Sequence, residues 1–390
     1  MRWTWVTDDE GLEALREEWT LLDDGAGPEA VFRSFEWQAS WWQLLGKRRR
    51  RQLHILVARD DDGRPRGILP MYVDATPIAR IIPRRRLRLL GDLAVGSDYL
   101  GLVASRADLP YLAPLFANQL VHDPELRRVD HFELTDLACG DALAEDLPDA
   151  FDRAGFTDIE VLPRYRCPVA DITDLEAYLA SRPQKFGSQI RNRRKELAKK
   201  PGFSLVVHRD PDAVVDNLAH LFRLHRARWE GDGGSDAIPT PGVEEFHRLS
   251  GRLLAARGFA RLAVLSVEDR PVAAGYGFVR GQRFAYYQAG LDPEWRKRSA
   301  GMVVMVELIR DAHAAGAREV DFLRGEEPYK AIWSTEVRAT VAVHARRATA
   351  SARRAARALQ LIEELRERVK AALPEPAVIA VRRLLRERDT

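Results

Sequence analysis

Two β-hairpins written on one plan constrain this chain more than anything else in it. "LHILVARDDDGRPRGILPMYV" (53–73) and "ARLAVLSVEDRPVAAGYGFVRG" (260–281) each set an apolar run, a short acidic turn and a second apolar run in the same order. Apolar runs of this length broken by Asp-Asp-Gly or Glu-Asp-Arg-Pro read as paired antiparallel strands. The surroundings repeat as well: two helices precede each hairpin, and a further strand, a helix and another strand follow it. The period is about 180 residues, too long for a solenoid, and it predicts duplicated domains. A chain of 390 residues has room for two.

The first half opens with Leu12, Leu15, Trp19 and Leu22 at helical spacing. "SFEWQASWWQLLG" (34–46) predicts a second helix with Ser34 as its N-cap. Strands are expected near 87–90, 99–103 and 129–134, and helices over 109–121 and 140–154. In the second half a basic helix over about 183–200 stops at Pro201-Gly202. The strand "FSLVVHR" and helices over 212–229 and 242–257 come before the hairpin. After it stand "QRFAYYQAGLDPEW", a helix over 299–315, the strand "EVDFLR", a short helix and a closing strand "VRATVAVHARR". The fold class is therefore mixed α/β. Two tandem domains, 1–170 and 171–347, each hold a mostly antiparallel central sheet flanked by helices, and a helical tail occupies 348–390.

Composition excludes some classes. With 46% hydrophobic and 31% charged residues the chain can bury a core. A net charge of +3 gives no reason to expect DNA as a partner. The basic excess is local: from Ala345 to Thr390 twelve Arg and Lys stand against six Asp and Glu. Leu359, Ile362, Leu365, Val369 and Leu373 share one face of that tail, and "AVIAVRRLLRER" reads as a last helix after Pro374 and Pro376. The tail is expected either to pack on its own domain or to touch a membrane surface or a partner. Cys139 and Cys167 have no metal-type spacing and read as two reduced core residues. The acidic N-terminus lacks the apolar segment of a signal peptide, and no apolar run nears the length that spans a bilayer. A cytoplasmic protein is expected, peripheral to a membrane at most.

The chemistry concentrates in two stretches. In "YYQAGLDPEWRKRSAGMVVMVELI" a strand leads to Arg296, Lys297 and Arg298, after which Ser299, Ala300, Gly301 and Met302 open an apolar-periodic helix. Small residues let a ligand come close to the backbone, and the unpaired N–H groups and dipole of a helix start favour an anion. That is the composition of a diphosphate cradle; the alternative is a capped helix with basic flanks. The matching point of the first half, "DLAVGSDYLGLVASRADLP", carries Asp92, Asp98 and Asp108 instead, so only the second half is suited to phosphates. The other stretch is "VDFLRGEEPYKAIWS" (320–334), dense in charge and aromatic surface directly after a strand.

These residues carry a resemblance. "RKRSAG" resembles the coenzyme A loop of the GNAT acyltransferases, Q/R-x-x-G-x-G/A, with Arg296 first, Ser299 at the first glycine position and Gly301 last. "DFLRGEEPYKAIW" resembles the "DFLRGDEPYKRRW" signature of the CelD/FemAB-like branch of that superfamily, with Glu326 where Asp is usual. "RSFEWQASWWQLLG", "RGILPMYV", "LHRARW" and "FAYYQAGLDPEW" are similar to further landmarks of the branch, so the likeness covers roughly 10–345. It implies two tandem GNAT-type domains, the second binding an acyl donor and the first a degenerate copy that helps hold the acceptor. For donor it implies acetyl-CoA or another acyl-CoA, as in CelD-like relatives associated with exopolysaccharide synthesis. FemAB-type relatives use aminoacyl-tRNA, which makes tRNA a partner only under that alternative. A small-molecule or glycan-type acceptor is expected, and no metal.

Within that frame Asp321, Tyr329 and Lys330 are the catalytic candidates. Strand alternation turns Asp321 away from the side of Val320 and Phe322, where it is expected to act as base or to orient the acceptor, or else to be a salt-bridged structural acid. Tyr329 is placed to protonate a leaving thiolate or simply to pack. Lys330 has donors for an oxyanion or a phosphate, with a surface ion pair to Glu326 as the alternative. Tyr287 and Gln288, on the strand before the donor loop, are expected to line the cleft together with His225, Arg228, Arg324 and Glu326. The glycine-rich loop 230–236 reads as a lid. A non-catalytic scaffold of a polysaccharide synthase, docking through the tail, is the competing class of function.

Overall fold

The computed structural model describes residues 1–390 apart from 26–30, 80, 93, 183–185, 230–241, 326 and 373–390. Its strands are β1 (Arg2–Val6), β2 (Arg51–Arg59), β3 (Pro65–Asp74), β4 (Arg86–Leu89), β5 (Val103–Ala104), β6 (His131–Ala138), β7 (Thr157–Asp171), β8 (Ser204–His208), β9 (Ala260–Val267), β10 (Arg270–Arg280), β11 (Arg283–Leu291), β12 (Glu319–Asp321) and β13 (Glu336–Arg346). They form one sheet in the order β1-β2-β3-β4-β6-β13-β7-β12-β11-β10-β9-β8, with β5 paired to β3. Both predicted hairpins are present, as β2–β3 and β9–β10. Each half holds one parallel strand pair, β4–β6 and β11–β12; the other ladders are antiparallel. The layered, mostly antiparallel α/β architecture is the one expected, although the repeat is uneven, the hairpins lying further apart than the later strands.

The halves are joined by an exchange of strands. β7 leaves the first half and pairs with β12 of the second, Asp321 opposite Val169. β13 leaves the second half and pairs with β6 of the first, Val343 opposite Leu134. β7 and β13 pair with each other between them. Each half is thus closed by the strand that follows the other half's last helix, and neither leaves a bare edge at the junction.

The buried apolar residues form two clusters. One runs through the first half and continues into the helices Pro211–Trp229 and Val243–Ala256 of the second. Its centre is Trp37, on the helix Phe35–Trp41, fully buried edge-on to Phe246 at 4.8 Å and to Phe278 at 5.7 Å. Ser34 caps that helix as expected, and the chain then relaxes into a π-turn over Trp42–Gly46. The other cluster packs the helix Ala300–Ala314 against β9, β10 and β11.

Several elements differ from the sequence reading. The stretch 99–103 contributes only Val103, the first of the two residues of β5, and a single bridge from Leu100 to Leu137. β1 and β7 were not expected. β7 carries Pro163, Pro168 and mostly exposed side chains, so it shows no apolar alternation; pairing with β13 is what makes it a strand. Cys167 is buried, but Cys139 is exposed and not a core residue. Part of the basic helix is seen as Phe186–Ala198, its expected start lying outside the described residues along with loop 230–236 and the helix expected after Pro376.

Gly290 sets how closely the helix Pro211–Trp229 can approach β11. A Cβ there would stand 2.6 Å from Leu224 Cβ and 2.7 Å from the His225 amide nitrogen. Gly290→Ala must push backbone from backbone, with an expected cost of about 2 kcal/mol. Thermal melting checks this against Gly301→Ala, where the nearest atom is 3.9 Å away and no loss of stability is expected.

Candidate active site

The site begins as a fault in the sheet. Of the nine residues of β11, only Arg283–Ala285 pair with β12. Beyond Ala285, β11 runs on to Leu291, while the chain after Asp321 turns away through Leu323 (φ 55°) and Gly325 (φ 121°) into the short helix Pro328–Trp333. A positive φ at Leu323 is costly for a branched side chain and persists only where its surroundings hold it. Here Asp321 Oδ1 accepts from the Leu323 amide at 2.8 Å, and Lys330 Nζ donates to the carbonyl of Arg324 at 2.6 Å. The result is a wedge between β11 and the 323–330 segment.

A cavity of about 240 Å³ fills the wedge. Tyr286, Tyr287 and Gln288 form its β11 wall, and Arg324, Glu327, Tyr329 and Lys330 the opposite one. His225 and Arg228 come from the helix Pro211–Trp229, His247 from Val243–Ala256, and Val95 and Gly96 from the first half. His225 Nδ1 lies 3.1 Å from the carbonyl of Ala289, which can only accept, so Nδ1 carries the proton and Nε2 the lone pair. Burial holds this imidazole below the usual histidine range, with Arg228 and Arg226 adding to the effect, so it is neutral at pH 7. His247 is pushed further, to about 3, by complete desolvation. It sits among Trp37, Tyr276 and Tyr287, 3.5 Å from the Tyr287 hydroxyl, which donates to the carbonyl of Val95. Burial also raises Tyr329 well above the ordinary tyrosine value, so its hydroxyl keeps its proton. The Arg228 guanidinium lies 5.8 Å from the centre of that ring.

A second depression, about 260 Å³, continues from the first and shares Arg228, Tyr286, Ala289 and Tyr329 with it. Its far end is lined by Arg296, Ser299, Gly301, Met302 and Met305. Ser299 is left-handed (φ 56°), the conformation for which glycine is the usual residue. Its carbonyl accepts from Met302 and Val303 at 3.0 and 3.1 Å, while the Ala300 and Gly301 amides find no carbonyl among the described residues. Arg296, Lys297 and Arg298 are exposed around this helix start, with Arg298 stacked on Trp295 at 4.7 Å. The amides, the helix dipole and Arg296 therefore lie at the same end of the depression, an arrangement that suits an anionic group.

The residues singled out in the sequence fall in three places. Tyr287, Gln288, His225, Arg228, Arg324, Tyr329 and Lys330 line the first cavity; Arg296, Ser299, Gly301 and Met302 line the second. Lys297 and Arg298 are exposed and line neither cavity, and the Ala300 side chain is in the core. Asp321 lies behind the wall: it is fully buried, lines neither cavity, and has its pKa raised by desolvation. Lys330 pairs with Glu327 at 3.0 Å, and Glu326 lies outside the described residues. Arg324 reaches out of the second half to Asp98 at 2.8 Å and Asp136 at 3.2 Å. Glu327, His247 and the Val95–Gly96 wall were not picked out from sequence. Glu327 sits inside the quoted signature, but nothing local marks His247 or the wall, because the packing of the two halves puts them there.

Acid should act on this site through His247. Its folded pKa lies below the unfolded value of about 6.5, so its contribution to stability is complete above that pH and declines as the pH falls toward 3. In urea denaturation the stability of wild type relative to His247→Gln should drop by about 2 kcal/mol between about pH 7.5 and pH 5. Asp98, raised to about 6 chiefly by burial, works in the opposite sense but is common to both proteins. A pH-independent difference would contradict the assignment.

Known proteins share parts of this chain's sequence and its fold. Residues 184–331 match the family model described as the acetyltransferase (GNAT) domain. No curated protein matches the sequence. Among solved structures, FemX shares the fold with a TM-score of 0.60 at 11% identity, over 88% of this chain and 97% of its own. The C-terminal domain (DUF2156) of a putative lysylphosphatidylglycerol synthetase from Agrobacterium fabrum gives 0.52 at 12% identity, over 91% and 96%. A conserved protein of unknown function from Bacteroides thetaiotaomicron gives 0.52 at 12%, over 87% and 99%. The chain is thus a transferase that carries a GNAT-type acetyltransferase domain over residues 184–331, within a fold it shares with FemX.

Proposed function

We propose that this protein is an acyl-CoA-dependent N- or O-acyltransferase of the CelD/FemAB-like kind. Its donor would be acetyl-CoA or another acyl-CoA, and its acceptor a polar molecule such as a sugar nucleotide or a polysaccharide or cell-envelope intermediate. The observation that carries the reading is the continuity of the two depressions through Arg228, Tyr286, Ala289 and Tyr329. A donor whose diphosphate lies at Gly301 can point its far end at Tyr329, beside an acceptor seated between the halves.

In this reading the chain's own residues divide the work. The helix start at Ala300–Gly301 and Arg296 hold the diphosphate. The edge of β11 beyond Ala285 offers backbone groups to the pantetheine arm and to the thioester oxygen. His225, neutral and presenting Nε2, takes the proton from the attacking amine or hydroxyl. Tyr329, kept protonated by burial, supplies a proton to the departing sulfur. Lys330 holds the Leu323–Arg324 carbonyls in place and so shapes the acceptor wall. Asp321 supports that wall from behind by fixing Leu323.

Titration with acetyl-CoA followed by thermal shift tests the donor. Gly301→Glu fits the open space at the helix start but puts a carboxylate where the phosphates belong, and should weaken binding by about tenfold or more with unchanged melting of the free protein. Equal affinity in the variant would remove the assigned cradle. With a working acceptor, kcat/KM should hold down to a pKa below about 6.5 and fall at lower pH, since only neutral His225 accepts a proton. His225→Gln should lower the rate by about 100-fold and abolish that acid limb.

One observation favours a second reading, transfer from aminoacyl-tRNA. Arg191, Arg193, Arg194 and Lys195 are exposed on the helix Phe186–Ala198, which forms a further hollow with Ser299 and Met302 beside the donor helix start. A polyanion could follow that face. Incorporation of labelled amino acid from charged tRNA, weakening steeply with salt, would select this donor over coenzyme A.

A further inference from the structure

Away from the cleft, the loop before β4 and the C-terminal helix Ala350–Ala372 make a surface that the transfer chemistry does not use. Ile78 and Ile82 exchange backbone hydrogen bonds of 2.9 and 3.0 Å, so the loop is a tight turn, and it projects Ile81 with 81% of its surface exposed. Ile81, Ile82 and Pro83 face Arg354, Arg357, Ala358 and Leu361 of the helix across a groove of about 430 Å³. Leu361 and Leu365 are 57% and 61% exposed. Arg354, Ala358, Leu361 and Leu365 follow one another at three- and four-residue steps, with Arg357 one turn before Leu361, so they form one helical stripe, while Ala352 and Ala355 are buried away from it. Single exposed leucines are ordinary in soluble proteins; Ile81, Ile82 and Leu361 bordering one groove, with Leu365 exposed one turn further along the helix, are not.

The charges around the stripe identify its occupant. Arg353, Arg354, Arg357 and Arg368 are exposed and have no acidic partner among the described residues; Arg353 and Arg354 donate only to backbone carbonyls, at 3.3 Å. A second copy of this chain would bring these arginines against each other. An anionic bilayer surface would neutralise all four and accept the apolar tips between its headgroups. No helix among the described residues is long and apolar enough to cross a membrane, so contact at this face would be from outside.

We propose that Ile81, Leu361 and Leu365, ringed by Arg353, Arg354 and Arg357, dock the protein on anionic phospholipid. The proposal is independent of which donor the cleft takes. Full-length protein should co-sediment with phosphatidylcholine vesicles that contain phosphatidylglycerol, should not do so with phosphatidylcholine alone, and should be released by high salt. Leu361→Glu/Leu365→Glu and Arg354→Glu/Arg357→Glu should each weaken vesicle binding by about tenfold or more, and Ile81→Glu by less, with unchanged thermal melting because these side chains are exposed. No binding to the anionic vesicles, or binding that the two double variants leave intact, overturns the proposal. So does a concentration-dependent dimer seen by light scattering and abolished by Leu361→Glu/Leu365→Glu, which would give the face to a second copy.

Discussion

The cleft depends on one ion cluster. Arg324 leaves the second half, bonds Asp98 through both its side chain and its own amide, reaches Asp136, and stacks on Tyr165 at 4.1 Å. Its carbonyl meanwhile accepts from Lys330. One residue therefore ties this wall of the cavity to the first half and to the helix that carries Tyr329. Charges this deep gain little net stability over an apolar packing, but removal of one partner strands the other: Asp98 is completely buried, and its carboxyl is already raised to about 6 despite the arginine beside it. The cluster acts as a geometric constraint more than as a source of stability.

The strand exchange holds the two halves together. β7 and β13 each complete the other half's sheet, so relative placement is set by backbone ladders and not by side-chain contacts alone. The first half differs beside its parallel strands. Beside its parallel pair β4–β6, Tyr72, Asp92, Arg88 and Glu133 bond one another and occupy the space. The second half keeps the equivalent wedge open because β11 outruns β12 and Gly290 lets a helix close over one side. The acids that replace a basic run in the first half are all engaged: Asp92 with Arg88, Asp98 with Arg324, Asp108 with Arg66.

Much of this could be read from residues next to one another. The hairpins announced themselves by apolar runs around acidic turns, and the loop 296–302 by three basic residues before small ones at a helix start. The "DFLRGEEPYK" stretch stood out through its charge after a strand, and most of the residues drawn from it and from the loop 296–302 line the two depressions. What was not legible is what depends on partners far away. β7 is a strand only because β13 lies beside it, and its prolines and exposed side chains carry no periodic signal. Asp321 alternates as a strand residue should, yet the side it faces is sealed by the first half and not open to a ligand.

The sequence by itself therefore determined the kind of layers, the repeated hairpins, the helix start suited to an anion and the identity of most cavity-lining side chains, because hydrophobic periodicity, turn chemistry and local charge act over a few residues. Only the tertiary structure decided which acid is buried, that His247 sits neutral among aromatic rings, and that Val95 and Gly96 wall a cavity belonging to the other half. Burial and long-range pairing join residues more than a hundred positions apart, and no local pattern encodes the desolvation that sets their charge.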